Sequence, residues 1–256
     1  MKHAGILAHS VEGAALCLRS FAMEGVRSLG PHLHPDVTLD CIAYGHSMPA
    51  WEQGDHASIR ATLARSADRL ARAGADFFAC PDNTAHLALE SPGDDLPLPG
   101  LHIGEVVAGA AASAGYRRVG ILGTRFTMDG PLYPRVLAVA GIGAEVPEPE
   151  DRRAVDEIIH EELVNGIFRD VSRDVYVGVI ERLADRGCDA VALVCTEIPL
   201  LVGPSESPLP TLDSTRLLAR AAFEVAVGDR PLPTWRGGPG VATGAVSSRP
   251  APSGGR

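Results

Sequence analysis

The residues best suited to chemistry stand just behind short apolar runs. In Gly74-Ala75-Asp76-Phe77-Phe78-Ala79-Cys80-Pro81-Asp82-Asn83-Thr84 a carboxylate, an amide and a hydroxyl follow the run. In Gly187-Cys188-Asp189-Ala190-Val191-Ala192-Leu193-Val194-Cys195-Thr196-Glu197 a thiol, a hydroxyl and a carboxylate do so. Both stretches open on Gly-x-Asp and begin 113 residues apart. That repetition predicts two similar halves, each offering one reactive group and one hydroxyl to a shared cleft. Thiols and carboxylates serve as general acids or bases once their surroundings bring the pKa toward ambient pH. His9-Ser10 and Gly123-Thr124 close two further apolar runs in the same way. His32-Leu33-His34 lacks a carboxylate partner at metal-ligand spacing and reads as a loop. No G-x-S-x-G, H-E-x-x-H or Walker loop occurs.

Positioning such groups requires alternating strands and helices. Strands are predicted at 3–8, 37–43, 75–80, 118–123, 143–146 and 190–194. Helices are predicted at 12–29, 56–73, 104–114, 131–140, 152–168, 174–186 and 214–227. Within 56–73, Ile59, Leu63, Ala67, Leu70 and Ala71 recur at the spacing of a core-facing helix. Alternation of this kind implies an α/β fold with parallel sheets, whose ligands sit beyond the carboxyl ends of the strands. Tyr116, Trp51 and Phe126 read as packing residues.

Composition narrows the function classes. The chain has 256 residues, enough for one large or two small domains with a substantial core. A formal charge of −9 argues against nucleic acid or an anionic membrane as partner. Lys2 is the one lysine among 23 basic residues, which all but excludes Schiff-base and pyridoxal phosphate chemistry. Five scattered cysteines without C-x-x-C pairing, and no signal-peptide or membrane-span pattern, predict a cytoplasmic protein. From Asp229 to Arg256 the chain is rich in Pro, Gly and Ser and is expected to be disordered.

The motifs together resemble the aspartate/glutamate racemase superfamily. Cys195-Thr196-Glu197-Ile198-Pro199-Leu200-Leu201 is similar to its second signature and Asn83-Thr84-Ala85-His86 to the tail of its first. Leu101-His102-Ile103, Gly120-Ile121-Leu122-Gly123-Thr124, Thr127-Met128, Tyr133, Glu161–Gly166 and Asp213-Ser214-Thr215 follow in order. The resemblance runs from Gly5 to about Val227. It implies two pseudo-symmetric parallel-sheet α/β domains, 1–101 plus 212–228 and 102–211, with the active site in the cleft between them. It also implies cofactor-independent racemisation or epimerisation at the α-carbon of an amino acid or related carboxylate, and a homodimer. Two groups on opposite faces of that carbon exchange its proton, while nearby donors stabilise the developing ene-diolate.

Carried onto this chain, the resemblance puts Cys195 on the second catalytic cysteine. A helix N-terminus there is expected to lower its pKa and favour the thiolate. Asp82 falls on the first catalytic position, where the family has cysteine, and Cys80 is left inside the strand. Asp82 is equally placed to cap a helix starting near Thr84, worth ~1 kcal/mol. Substrate contacts are expected from Ser10, Asn83, Thr84, Thr124, Thr127, Thr196 and Glu197. Val164 and His46-Ser47-Met48 supply none of the basic side chains that aspartate-specific relatives carry, so a neutral or unusual substrate is expected. With one cysteine the same fold could instead host a decarboxylase, lyase, isomerase or cyclase acting on a carboxylate, or a non-catalytic carboxylate-binding protein.

Overall fold

A computed structural model describes residues 1–239. The first half runs β1 (Ala4–Ala8), α1 (Val11–Leu29), β2 (Val37–Cys41), α2 (Met48–Gln53), α3 (His56–Arg72), β3 (Phe77–Ala79), α4 (Asn83–Leu89) and β4 (Gly100–Leu101). The second half runs α5 (Ile103–Ser113), β5 (Arg118–Leu122), α6 (Arg125–Met128), α7 (Leu132–Val139) and β6 (Gly143–Glu145). It continues through α8 (Pro149–Glu161), α9 (Asp170–Asp185), β7 (Ala190–Leu193), α10 (Ile198–Leu201) and β8 (Thr211–Asp213). Finally α11 (Ser214–Val227) returns to pack on α1.

Two four-stranded sheets result, ordered β2-β1-β3-β4 and β6-β5-β7-β8, with every strand pair parallel. The matching orders express the repetition seen in the sequence. Alternation in the strands feeds both faces of each sheet. Ile6, Ala8, Phe77 and Ala79 pack with Phe21, Leu218 and Phe223 beneath α1 and α11. Leu7, Phe78 and Cys80 pack with Leu63, Leu70 and Leu89 on the other face. In the second sheet Val119, Ile121, Ala190 and Ala192 face Val107, Tyr133 and Leu137, while Leu122, Val191 and Leu193 face Val155, Tyr176 and Ile180.

Six strands are predicted from sequence and eight form among the described residues. β4 and β8 are edge strands of two and three residues, too short to show periodicity. Because β8 pairs with β7, Leu212 and Asp213 belong to the second sheet, and the chain crosses back to the first half at Ser214. The predicted helix over 152–168 stops at Glu161, followed by a short 3-10 turn closed by Gly166 in the left-handed region.

The chain beyond Asp229 departs from the expected disorder. Gly100 and Trp235 exchange an isolated antiparallel bridge, and Leu96 N–H donates to the Arg236 carbonyl at 2.8 Å. Trp235 is buried, its ring stacked on His86 at 5.6 Å and 9° and tilted against Phe78. A Pro/Gly-rich composition misleads here because one large aromatic side chain supplies the docking energy. Residues 240–256, the rest of the predicted tail, lie outside the described residues.

Candidate active site

Parallel register brings the chemical groups into line. Ile6 pairs with Ala79, so His9 and Asp82, each three residues further on, leave the first sheet side by side. Leu122 pairs with Leu193, so Thr124 and Cys195 do the same in the second. These four strand ends border a cavity of about 450 Å³, which Ser10, Asn83, Thr84, Thr196 and Glu197 also line. Thr127 is buried beside that lining, its hydroxyl 3.2 Å from Thr124 Oγ1 and 3.4 Å from Thr84 Oγ1. Thr84 Oγ1 lies 3.2 Å from Thr124 Oγ1, so the three hydroxyls connect α4 of one half with α6 of the other.

Asp82 stands both at a helix cap and on the cavity. It caps α4, Oδ1 accepting the Ala85 N–H at 2.9 Å, and it borders the cavity. Its backbone carbonyl accepts from His86 Nδ1 at 2.8 Å, while His86 Nε2 accepts the Ile103 N–H at 3.2 Å. Burial pushes the His86 pKa down to about 3, so this imidazole is a neutral structural link. Asn83 faces the other way within the core: it accepts from Tyr133 Oη at 2.5 Å and donates to Ser214 Oγ at 3.0 Å. Ser214 in turn donates to the Leu193 carbonyl at 3.0 Å. Asn83 thereby ties the Asp82 loop to β7, the strand that carries Cys195.

Cys195 rests as a thiol, which corrects the expected thiolate. Its Sγ donates to Glu197 Oε2 at 3.0 Å, and Thr196 Oγ1 donates to the same oxygen at 2.7 Å. Burial pushes the Cys195 pKa well above the usual thiol value, and the Glu197 carboxylate raises it further. The single-turn α10 behind it does not offset these effects. Cys80 is buried and packed, as its strand position predicts. Gly13 on α1 permits the close approach of the halves: a Cβ there would stand 2.6 Å from the Pro81 carbonyl and 2.7 Å from Thr196 Cγ2.

His9, flagged by its place behind an apolar run, borders the cavity, and so do Glu12, Tyr44 and His160, which sequence reasoning misses. Tyr44 lies on the loop after β2, its pKa pushed up to about 12 by burial and then by the Asp82 charge. Trp51, expected to be packing, is buried but also donates its indole N–H to His9 Nε2 at 3.4 Å. No local signal in the sequence marks Glu12, Tyr44 or His160. Among the described residues no group of three His, Cys, Asp or Glu could hold a metal ion. No helix among them is long and apolar enough to cross a membrane.

Two like parallel-sheet α/β halves, with a carboxylate and a thiol at corresponding strand ends on one cavity, define a two-domain α/β protein with a small-molecule-sized site. Comparison with known proteins makes this specific. Residues 23–222 match the Asp/Glu/Hydantoin racemase family, and the chain belongs to it. It is 26% identical over 175 residues to the broad specificity amino-acid racemase RacX of Bacillus subtilis, covering 65% of this chain and 72% of that one. An aspartate racemase homologue from Pyrococcus horikoshii OT3 superposes with a TM-score of 0.77 at 25% identity, covering 89% of this chain and 100% of the other. The Picrophilus torridus aspartate racemase shares the fold, with a TM-score of 0.70 at 22% identity over 89% and 95% of the two chains. The protein is accordingly an isomerase of the amino-acid racemase class.

Proposed function

We propose that the protein racemises or epimerises an α-amino acid without a cofactor, by two-base proton transfer between Asp82 and Cys195. The observation that carries this reading is the placement of a carboxylate and a thiol at corresponding strand ends of two like sheets, on one cavity. A substrate lying between them has Asp82 on one face of its Cα and Cys195 on the other. In one direction Asp82 removes the α-proton and the Cys195 thiol delivers a proton to the opposite face. The thiolate so formed is reprotonated through Glu197, which already accepts its hydrogen bond. In the reverse direction the same step runs backward from the form it leaves: the Cys195 thiolate removes the α-proton and protonated Asp82 delivers its proton to the opposite face, which restores the thiol and the Asp82 carboxylate. The N-terminus of α1, whose Ser10 cap makes no side-chain bond to the helix, offers free N–H groups to the substrate carboxylate.

The lining also restricts the substrate side chain. Among the described residues bordering the cavity there is no Lys or Arg, whereas Glu12, Asp82 and Glu197 are acidic and Val11, Ile159, Val164 and Val194 apolar. A second carboxylate on the substrate would meet like charge without a partner, at a cost of several kcal/mol. The preferred substrates are therefore amino acids with neutral or cationic side chains, in keeping with the broad specificity named for RacX.

The test is Cα–H exchange in D₂O for the twenty common amino acids, followed by NMR and chiral chromatography. Wild type should exchange and racemise at least one neutral or basic amino acid. Asp82→Asn keeps the α4 cap, since an amide oxygen accepts the Ala85 N–H equally well. Racemisation should nevertheless be lost in it, as it should in Cys195→Ala. Unchanged racemisation by Asp82→Asn would exclude the two-base mechanism. Single-face exchange without racemisation in wild type would favour one-acid chemistry instead, a reading motivated by the cap that already engages Asp82 Oδ1.

A further inference from the structure

His9 poses a problem of hydrogen-bond satisfaction. It is 1% exposed, and its Nδ1 is buried without a partner in the protein. A buried polar atom left unpaired is costly, and such atoms mark places where something else binds. The other ring nitrogen is committed: the indole of Trp51 can only donate, so Nε2 must accept. In the neutral ring the proton therefore resides on Nδ1. The ring is held from the side by Tyr44, edge-on at 5.0 Å, and by Trp51. It borders the cavity at the level of Asp82. The corresponding strand end of the second half is Thr124, whose hydroxyl is already engaged with those of Thr84 and Thr127.

We propose that His9 is a catalytic residue that donates its Nδ1–H to a carboxylate oxygen of the bound substrate, with Trp51 fixing the tautomer that makes this possible. The assignment rests on the racemase reading and adds a neutral donor to it. As the α-proton leaves toward Asp82 or Cys195, charge grows on the carboxylate oxygens, and a prearranged donor strengthens its bond as that charge develops. No proton leaves His9 in this role, so its contribution is electrostatic. Burial lowers the His9 pKa, which keeps the ring a neutral donor rather than a cation.

Two substitutions separate this role from a packing role. The side-chain amide of His9→Asn places an N–H near the position of Nδ1 but cannot reach Trp51. His9→Gln places its amide nearer Nε2, keeping an acceptor for Trp51 and leaving the cavity without the donor. For the amino acid that wild type racemises fastest among the twenty, kcat should fall about 10²- to 10³-fold in His9→Gln, the usual effect of removing one such donor. His9→Asn should retain kcat within about tenfold of wild type once folding is verified by circular dichroism. A kcat in His9→Gln close to wild type, or equal losses in both variants, would overturn the assignment. Independently of turnover, ¹⁵N-histidine NMR of the wild-type protein should show the His9 proton on Nδ1, identified by the signal absent from His9→Gln. A proton on Nε2 would refute it. Should wild type racemise no amino acid, the racemase reading falls on that result, whereas these variants decide the role of His9 within an active enzyme.

Discussion

Trp235→Ala removes the large buried aromatic side chain that docks residues 229–239 on the first half. An indole buries ~150–250 Å². At ~25 cal/mol per Å² of apolar surface that represents about 4–6 kcal/mol before any offset. The chain around it is Pro/Gly-rich, and once Trp235 is gone it can detach and recover backbone entropy. Detachment also breaks the bonds from Leu96 N–H to Arg236 and from Gly100 N–H to Trp235, but water replaces those partners at small net cost. The loss is therefore limited to the net docking energy of the segment. We expect about 3 kcal/mol, at the lower end of the range for buried tryptophan. In a chain of this size that corresponds to a melting temperature about 6–12 °C lower. Urea denaturation of wild type, Trp235→Ala and a chain ending at Asp229 measures it. The truncation should cost at least as much as the substitution. Because Trp235 stacks on His86, which binds the Asp82 carbonyl, both variants should also lose activity. A change below about 0.5 kcal/mol in Trp235→Ala, the scale of an ordinary surface substitution, would refute the docking argument.

Two further outcomes follow from the site. His86 and His9 have folded-state pKa values held below the unfolded value by burial, so unfolding takes up protons that the native rings do not bind. Their stabilising contribution is complete above about pH 6.5 and is lost as pH falls toward the folded values, at up to ~1.4 kcal/mol per pH unit for each histidine. Urea midpoints between pH 7 and 5 should therefore decline, and His9→Gln should show a shallower decline; a flat wild-type profile would contradict the burial. Gly13→Ala should reduce kcat at least about tenfold, because its Cβ would wedge the Pro81 carbonyl away from Thr196 and open the cleft by tenths of an ångström. Steady-state kinetics at wild-type folding would check it.

Much of this architecture is legible in the sequence, for reasons that particular residues make plain. The apolar runs that become β1, β3, β5 and β7 are the central strands, buried on both faces, so they stand out as unbroken hydrophobic stretches. The groups that follow them, Asp82 and Cys195 among them, are placed by chain continuity alone. Residues placed by tertiary packing are not legible. Tyr44 and His160 reach the cavity from a loop and a helix end, and their local sequence carries no signal of that destination. Trp235 is hidden among prolines and glycines because its partners, His86 and His102, are more than a hundred residues away. The ionisation of Cys195 eludes motif reasoning for a different cause. Residue order puts a helix behind the thiol, but the side-chain geometry puts the Glu197 carboxylate 3.0 Å from it, and at that range a full charge outweighs one helical turn.

The unlike chemistry of the two faces has a measurable consequence. In the proposed pair one group is a carboxylate that caps a helix, and the other a thiol backed by a carboxylate acceptor. Nothing in the site makes the two directions of proton transfer equivalent, so the two enantiomers should differ in kcat and in KM. For a racemase the equilibrium constant between enantiomers is one, which requires kcat/KM to be equal in the two directions whatever the asymmetry of the groups. Unequal kcat with equal kcat/KM is thus the expected signature of Asp82 and Cys195 working as a pair on enantiomers. An epimerase acting on a substrate with a second stereocentre would instead show a kcat/KM ratio equal to the equilibrium ratio of its diastereomers, which departs from one. Full progress curves from each pure enantiomer, monitored by circular dichroism, distinguish the cases. Convergence to the racemic mixture at identical kcat from both sides would mean that a step common to the two directions, such as cleft opening, limits turnover rather than either proton transfer.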